Sequence, residues 1–197
     1  MSPELASVCV YCGSSPGLDA SFATAAADLG RVLARRGITL VYGGGHVGLM
    51  GVLADAALEA GGTVHGVITR ALEDREVAHS GLSSLRVVDT MHERKAAMAD
   101  VADAFVMLPG GFGTLEEFLE VVTWTQLGVH SKPCGVLNVA GYYDRLIALF
   151  DLAEQQRFVR REHRELVIVE TDPSVLLDSF EAWTPVTVDK WVDRTDR

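Results

Sequence analysis

The stretch Val106-Met-Leu-Pro-Gly-Gly-Phe-Gly-Thr-Leu-Glu-Glu-Phe118 combines features that together could hold an anion and act on it. An apolar strand, Ala104 to Leu108, runs into Pro109-Gly-Gly-Phe-Gly-Thr114, and a helix that starts with Glu116 and Glu117 follows. Strand, glycine turn and helix together aim unpaired backbone N–H groups, and the positive end of a helix dipole, at an anion. Glycine lets that backbone take positive φ and come close to a ligand. A carboxylate in the first turn, beside a phosphate pocket, is electrostatically odd, which makes Glu117 a candidate base. A local reading competes. Thr114-x-x-Glu117 has the spacing of a capping box, with Thr114 as N-cap and Glu117 reaching back to its N–H.

Other groups could share the chemistry. Gly43-x-Gly45-x-x-Gly48 matches the dinucleotide fingerprint and sits, as that motif requires, between a strand and a helix. It is the second strand–helix turn rather than the first, however. No acidic residue stands about 20 positions on, near Val67-Ile-Thr-Arg70, to hold a ribose hydroxyl. Gly44 and Gly45 are therefore candidates for a phosphate or ribose contact, with a tight structural turn as the alternative and Arg70 as a candidate for a 2′-phosphate. Arg94 and Lys95 fall in the first turns of a helix, where cations oppose the dipole. That placement invites a functional reason, against the plain alternative that both reach into solvent. Glu76 lies in a charged connection and draws interest only from its companions. The six histidines show no metal spacing, and no role follows for His92. Cys9-Val-Tyr-Cys12 matches C-x-x-C, but it lies in an apolar strand where an odd separation sends the two thiols to opposite faces. With Cys134 as the third cysteine and no second Cys or His pair, buried structural thiols are expected rather than zinc.

The elements that must position these residues can be read from pattern. The chain has 197 residues, 48% hydrophobic and 22% charged, which fits one soluble α/β domain. No apolar run is long enough to span a bilayer, and the first residues lack the basic-then-apolar pattern of a signal peptide. A cytoplasmic protein is expected. The net charge is −10 and the lysines are Lys95, Lys132 and Lys190, which excludes generic nucleic-acid binding. Strands are expected at Val8–Tyr11, Ile38–Tyr42, Thr63–Thr69, Leu85–Asp89, Ala104–Leu108, Pro133–Val139 and Leu166–Val169. Helices are expected from Asp19 to Arg36, after Gly48 to Ala60, around Met91–Met98, up to Leu127, from Tyr142 to Arg157 and from Pro173 to Trp183, with Arg70–Ser84 as a polar connection. This alternation predicts a doubly wound parallel sheet with a Rossmann-like nucleotide-binding fold over residues 1–183, and a polar tail over 184–197. Its ligand belongs outside the carboxyl ends of the strands, where the glycine turns gather. On the helix at 115–127, Leu115, Phe118, Leu119 and Val122 form one apolar stripe, and Val121 and Trp124 carry the apolar surface round. Such a helix is buried on more than one side, within the monomer or in a two-fold dimer.

The motifs together resemble one family. Pro109-Gly-Gly-Phe-Gly-Thr-Leu-Glu-Glu117 matches the P-G-G-x-G-T-x-x-E signature of the Lonely Guy proteins, and Met91-His-Glu-Arg-Lys95 matches their M-H-x-R-K segment. Gly43-Gly-Gly…Gly48-Leu-Met-Gly51, Cys12-Gly-Ser-Ser15 and Asn138-Val-x-Gly-Tyr-Tyr143 are similar to the family as well, and the likeness spans about residues 7 to 180. Phe112 stands where a tyrosine is often seen. The resemblance implies a cytokinin riboside 5′-monophosphate phosphoribohydrolase, which hydrolyses the N-glycosidic bond of N6-modified AMP, related members acting on AMP itself. It implies a homodimer, no cofactor and no metal. It places Arg94 and Glu117 at catalytic positions, and Glu76, Lys95, Gly110, Gly111, Phe112, Gly113, Thr114, Leu115, Glu116 and Thr123 at substrate-binding ones. The family carries an old label of lysine decarboxylase, which the sequence opposes: pyridoxal chemistry needs a Schiff-base lysine, and the motif offers only Lys95, with no visible pyridinium partner. A carrier that binds a nucleotide or cofactor without cleaving it, and an NADP-dependent oxidoreductase, are the rival classes.

Overall fold

Apolar runs separated by amphipathic stretches become parallel strands joined by crossover helices. The computed structural model describes residues 5–73 and 78–185. Its strands are β1 (Ser7–Tyr11), β2 (Thr39–Tyr42), β3 (Val64–Thr69), β4 (Ser84–Val88), β5 (Ala104–Met107), β6 (Cys134–Leu137) and β7 (Val167–Glu170). The helices are α1 (Ala20–Arg35), α2 (Gly48–Glu59), α3 (Arg70–Glu73), α4 (Met91–Val101), α5 (Phe112–Gln126), α6 (Asp144–Gln155), α7 (Arg161–Arg164) and α8 (Pro173–Glu181). All strands pair in parallel in one sheet ordered β4-β3-β2-β1-β5-β6-β7. The expected fold class is thus the observed one.

Alternation along each strand divides the core. Val8, Val10 and Cys12 pack with Leu29, Leu33, Leu49 and Leu53 of α1 and α2, whereas Cys9 and Tyr11 pack with Met98, Phe118 and Val121 of α4 and α5. The thiols of Cys9 and Cys12 therefore lie on opposite faces, and all three cysteines are free and buried. Burial pushes the Cys9 and Cys12 thiols up and Cys134 to about 12, so none is a ready thiolate.

The order reverses between β1 and β5. Strands β2 to β4 extend to one side and β6 and β7 to the other, so the turns leaving β1 and β5 diverge and leave a crevice. Tyr11 pairs with Met107 at the strand ends, and the Gly13 N–H then donates to the Pro109 carbonyl at 3.0 Å.

Two helix starts differ from the expectation. Helix α5 begins at Phe112, with Gly111 as an N-cap that makes no side-chain cap bond. Thr114 is therefore inside the first turn and Glu117 in the second, and the capping box is not formed. The physical reason is that Pro109-Gly110-Gly111 completes the turn early, so that the Leu115 N–H already donates to the Gly111 carbonyl at 3.1 Å. Helix α6 begins at Asp144 rather than Tyr142, because a 3-10 turn at Val139–Gly141 puts Ala140 and Gly141 at φ 50° and 70°. Helices α3 and α7 were not expected; single turns are too short to show an apolar period. Thr184 and Pro185 are exposed, and the rest of the polar tail, residues 186–197, lies outside the described residues, as do Arg75 and Glu76. No helix among the described residues is long and apolar enough to cross a membrane.

Candidate active site

Helix α4 starts firmly. The Thr90 hydroxyl accepts from the Glu93 N–H at 3.2 Å, and the Glu93 carboxylate accepts from the Asp89 N–H at 3.0 Å. One residue further on, the Arg94 side chain turns inward. Its Nε donates to the Val67 carbonyl at 3.0 Å and its Nη2 to the Gly43 carbonyl at 3.1 Å. Gly43 lacks a Cβ for a reason visible here, since a methyl at that position would collide with the guanidinium. The side chain is 7% exposed, and Nη1 reaches Glu117 Oε1 at 3.4 Å. Glu117, 13% exposed, hangs from the second turn of α5. The ion pair is long for a charge-assisted bond, which closes to about 2.7–2.9 Å. The guanidinium is thus fixed chiefly by neutral carbonyls, and neither it nor Glu117 lines the cleft at the switch point.

Lys95 also turns inward instead of reaching into solvent. Its ammonium is 8% exposed and binds Glu116 at 2.5 Å and Glu120 at 3.0 Å, tying α4 to α5. Burial alone would lower the Lys95 pKa; the carboxylates, Glu116 first, more than reverse this and hold it above the usual lysine range. Glu116 is more than half exposed and takes part through this bond.

A cleft of ≈ 290 Å³ opens at the switch point, walled by Gly13 to Gly17, Phe22, Leu49, Pro109 to Gly111 and Tyr142. Helix geometry leaves the N–H groups of Phe112, Gly113 and Thr114 without intrahelical partners beside it. Phe112 is 93% exposed, whereas the Thr114 side chain is buried against Gly110. Gly44 and Gly45 are buried and line no part of this cleft. The Gly44 carbonyl accepts from the His79 N–H at 3.0 Å, and Gly45 bridges Ala78. Gly48 abuts the Ser14–Ser15 backbone, so the third glycine of the fingerprint serves turn-to-turn packing. Arg70, the candidate for a 2′-phosphate, faces Asp89 at 3.6 Å on the surface. Thr123 sits nine positions beyond Thr114, about 14 Å along the helix at 1.5 Å per residue. It lines a second cavity with Leu119, Val122, Gln126 and Phe150. His92 is exposed on α4.

Sequence reasoning missed one cluster. His46, Asp55 and His79 bring their ligand atoms within 4.8 Å of one another. His79 Nδ1 accepts from the Gly81 N–H at 3.0 Å, so the ring proton sits on Nε2, which donates to Asp55 at 2.8 Å. That tautomer offers His79 no lone pair toward the cluster, and the arrangement fits a structural pair rather than a metal centre. Only the i, i+2 spacing of His79 and Gly81 hinted at it.

A family model described as possible lysine decarboxylase matches residues 50–180. A probable cytokinin riboside 5′-monophosphate phosphoribohydrolase of Oryza sativa subsp. japonica is 49% identical over 177 residues, covering 90% of this chain and 79% of the relative. A cytokinin riboside 5′-monophosphate phosphoribohydrolase of Arabidopsis thaliana is 47% identical over 178 residues, covering 90% and 83%. Among solved structures, the molybdenum cofactor carrier protein of Chlamydomonas reinhardtii superposes with a TM-score of 0.67 at 20% identity, covering 90% of this chain and 96% of that one, a likeness of fold alone.

The Lys95 clamp yields a prediction. Its folded pKa is raised, so its stabilisation is complete at neutral pH and is lost as pH rises from about 10.4 through the folded value. Removing the ammonium with Lys95→Met should lower the unfolding midpoint in urea at pH 7. The gap from wild type should narrow above about pH 10.4. A gap that is absent at pH 7, or that widens in alkali, would contradict the clamp.

Proposed function

The chain belongs to the family of the cytokinin riboside 5′-monophosphate phosphoribohydrolases, and on that footing we propose that its site hydrolyses the N-glycosidic bond of AMP or an N6-modified AMP. The products are the free base and ribose 5-phosphate. The observation that carries this reading is the buried meeting of Arg94 and Glu117 one turn below the open amide end of α5. The 5′-phosphate rests on the N–H groups at the start of α5, between Gly110 and Thr114, where amides and helix dipole favour an anion. The ribose then reaches Glu117, which binds its hydroxyls or takes a proton from the attacking water. Its charge also stabilises the oxocarbenium-like centre at C1′. Arg94 holds a fixed positive charge near the departing base. A guanidinium rarely gives up its proton, so its help is electrostatic. Water supplies the hydroxyl at C1′, and the base leaves with a proton. Glu76, Lys95 and Leu115 to Glu116 complete the proposed binding set, Lys95 and Glu116 by holding α4 and α5 in register, whereas Gly44 and Gly45, away from the cleft, serve the turn after β2. These steps draw on protein groups alone.

Decarboxylation of lysine does not suit the two lysines among the described residues. A Schiff base requires an unprotonated amine. Lys95 is held protonated by two carboxylates, and Lys132 donates to the Ala99 carbonyl at 2.7 Å. The three free thiols suit a reducing, cytoplasmic compartment.

The proposed active form is a homodimer. Leu119 is 39% exposed and lines a cavity with Thr123 on one face of α5, and the half-exposed Leu127 follows just past the helix end. Pairing two copies across this face would bury that apolar surface, and would give Thr123, remote from its own chain's cleft, a route to the other site.

Two tests follow. Purified protein incubated with AMP or isopentenyladenosine monophosphate should release free base and ribose 5-phosphate. Glu117→Gln and Arg94→Ala should each lower kcat by about 10²-fold or more while the fold is kept. Nucleotide binding with no ribose 5-phosphate formed would instead describe a carrier, and near wild-type turnover in either variant would remove the assigned roles. Leu119→Glu should shift the protein from dimer to monomer in light scattering; an unchanged mass would place the seam elsewhere.

A further inference from the structure

Asn138-Val-Ala-Gly-Tyr-Tyr143 stands out in the sequence, yet the chemistry above uses none of it. The segment leaves β6 through two consecutive left-handed residues, Ala140 and Gly141. For alanine this conformation is strained, and such strain persists where surrounding contacts enforce it. Those contacts are visible. Asn138 Oδ1 accepts from the Tyr143 N–H at 2.9 Å, and its Nδ2 donates to Asp144 at 2.7 Å. The result is that two tyrosines are delivered to the glycine turn after β5. The Tyr143 hydroxyl donates to the Leu108 carbonyl at 2.9 Å and the Tyr142 hydroxyl to the Gly110 carbonyl at 2.8 Å. Between them the Pro109 carbonyl takes the Gly13 N–H at 3.0 Å.

Three successive carbonyls of the turn are thus held by donors from other segments. In a trans peptide the N–H points opposite to the carbonyl, so fixing one aims the other. The three bonds are not equivalent. The Leu108–Pro109 peptide has no N–H to aim. The Gly110–Gly111 peptide is flanked by glycine on both sides, so steric resistance to its rotation is small. The Tyr142 hydroxyl holds its carbonyl, while the Tyr142 ring packs edge-on against Phe22 at 5.4 Å and Tyr143 at 4.7 Å.

We propose that Tyr142 is a positioning residue for the nucleotide's 5′-phosphate: its hydroxyl sets the plane of the Gly110–Gly111 peptide and so aims the Gly111 N–H for the anion. The inference rests on the phosphate reading given above. Tyr142→Phe keeps the ring and removes the bond. In the full-length variant, the KM for AMP and the inhibition constant of ribose 5-phosphate should rise about three- to tenfold, the worth of one net hydrogen bond. The inhibition constant of free adenine and kcat should stay within about twofold. Tyr143→Phe is the control. Its buried hydroxyl donates to the Leu108 carbonyl and meets the Gly110 backbone, not the Gly111 N–H, so it should lower the melting temperature and weaken ribose 5-phosphate binding less than Tyr142→Phe does. A Tyr142→Phe enzyme with wild-type ribose 5-phosphate affinity would overturn the proposal. So would equal weakening of adenine and ribose 5-phosphate, or equal effects of the two variants. If the wild-type protein binds ribose 5-phosphate no better than ribose, the phosphate reading itself falls, and this inference with it.

Discussion

A guanidinium buried among main-chain carbonyls is the constraint on which the site depends. An arginine cannot shed its charge to suit an apolar setting, so the fold must supply acceptors. It does so from two neighbouring strands, at Gly43 just after β2 and at Val67 within β3, with Glu117 of α5 as a looser third partner. These acceptors fix several other features. Position 43 must lack a side chain, α4 must begin one turn before Arg94, and α5 must approach α4 closely enough for Lys95 to meet Glu116 and Glu120. Removing one partner of such a pair is costlier than the pair is stabilising, because the survivor stays buried and uncompensated.

The second half of the site solves the opposite problem. An anion needs donors that nothing inside the protein has consumed. A helix start provides them only if the preceding turn points its carbonyls elsewhere. Here the carbonyls of Leu108, Pro109 and Gly110 are taken up by Tyr143, Gly13 and Tyr142. The sheet order makes this possible, because β1 and β5 are neighbours at the switch point although nearly a hundred residues of chain separate them. One constraint thus places a buried positive charge beside Glu117, and the other leaves the start of α5 open beside the cleft.

Much of this was legible in the sequence. The strands show as apolar runs, the sheet as their alternation with helices, and the convergence of Arg94 with Glu117 follows once the motif is known. What escaped has physical causes. Thr114 and Glu117 have capping-box spacing, but a proline and two glycines close the turn earlier than a capping signal can report. Lys95 carries no mark of its partners, since Glu116 and Glu120 come from another helix. The tyrosine contacts depend on left-handed backbone at Ala140, which no propensity for alanine suggests. Thr123 lies on the right helix, yet its distance from the cleft of one chain is a matter of geometry that helix assignment alone does not weigh. Glu76 falls outside the described residues.

In the proposed complex the nucleotide's phosphate sits on the α5 amides while its C1′ faces Glu117. A crystal structure of the Glu117→Gln protein with AMP bound tests it directly. The account predicts phosphate oxygens about 2.7–3.2 Å from N–H groups within residues 110–114, with C1′ between residue 117 and the Arg94 guanidinium. A nucleotide bound with its phosphate away from the start of α5, or with C1′ turned from both side chains, would contradict it.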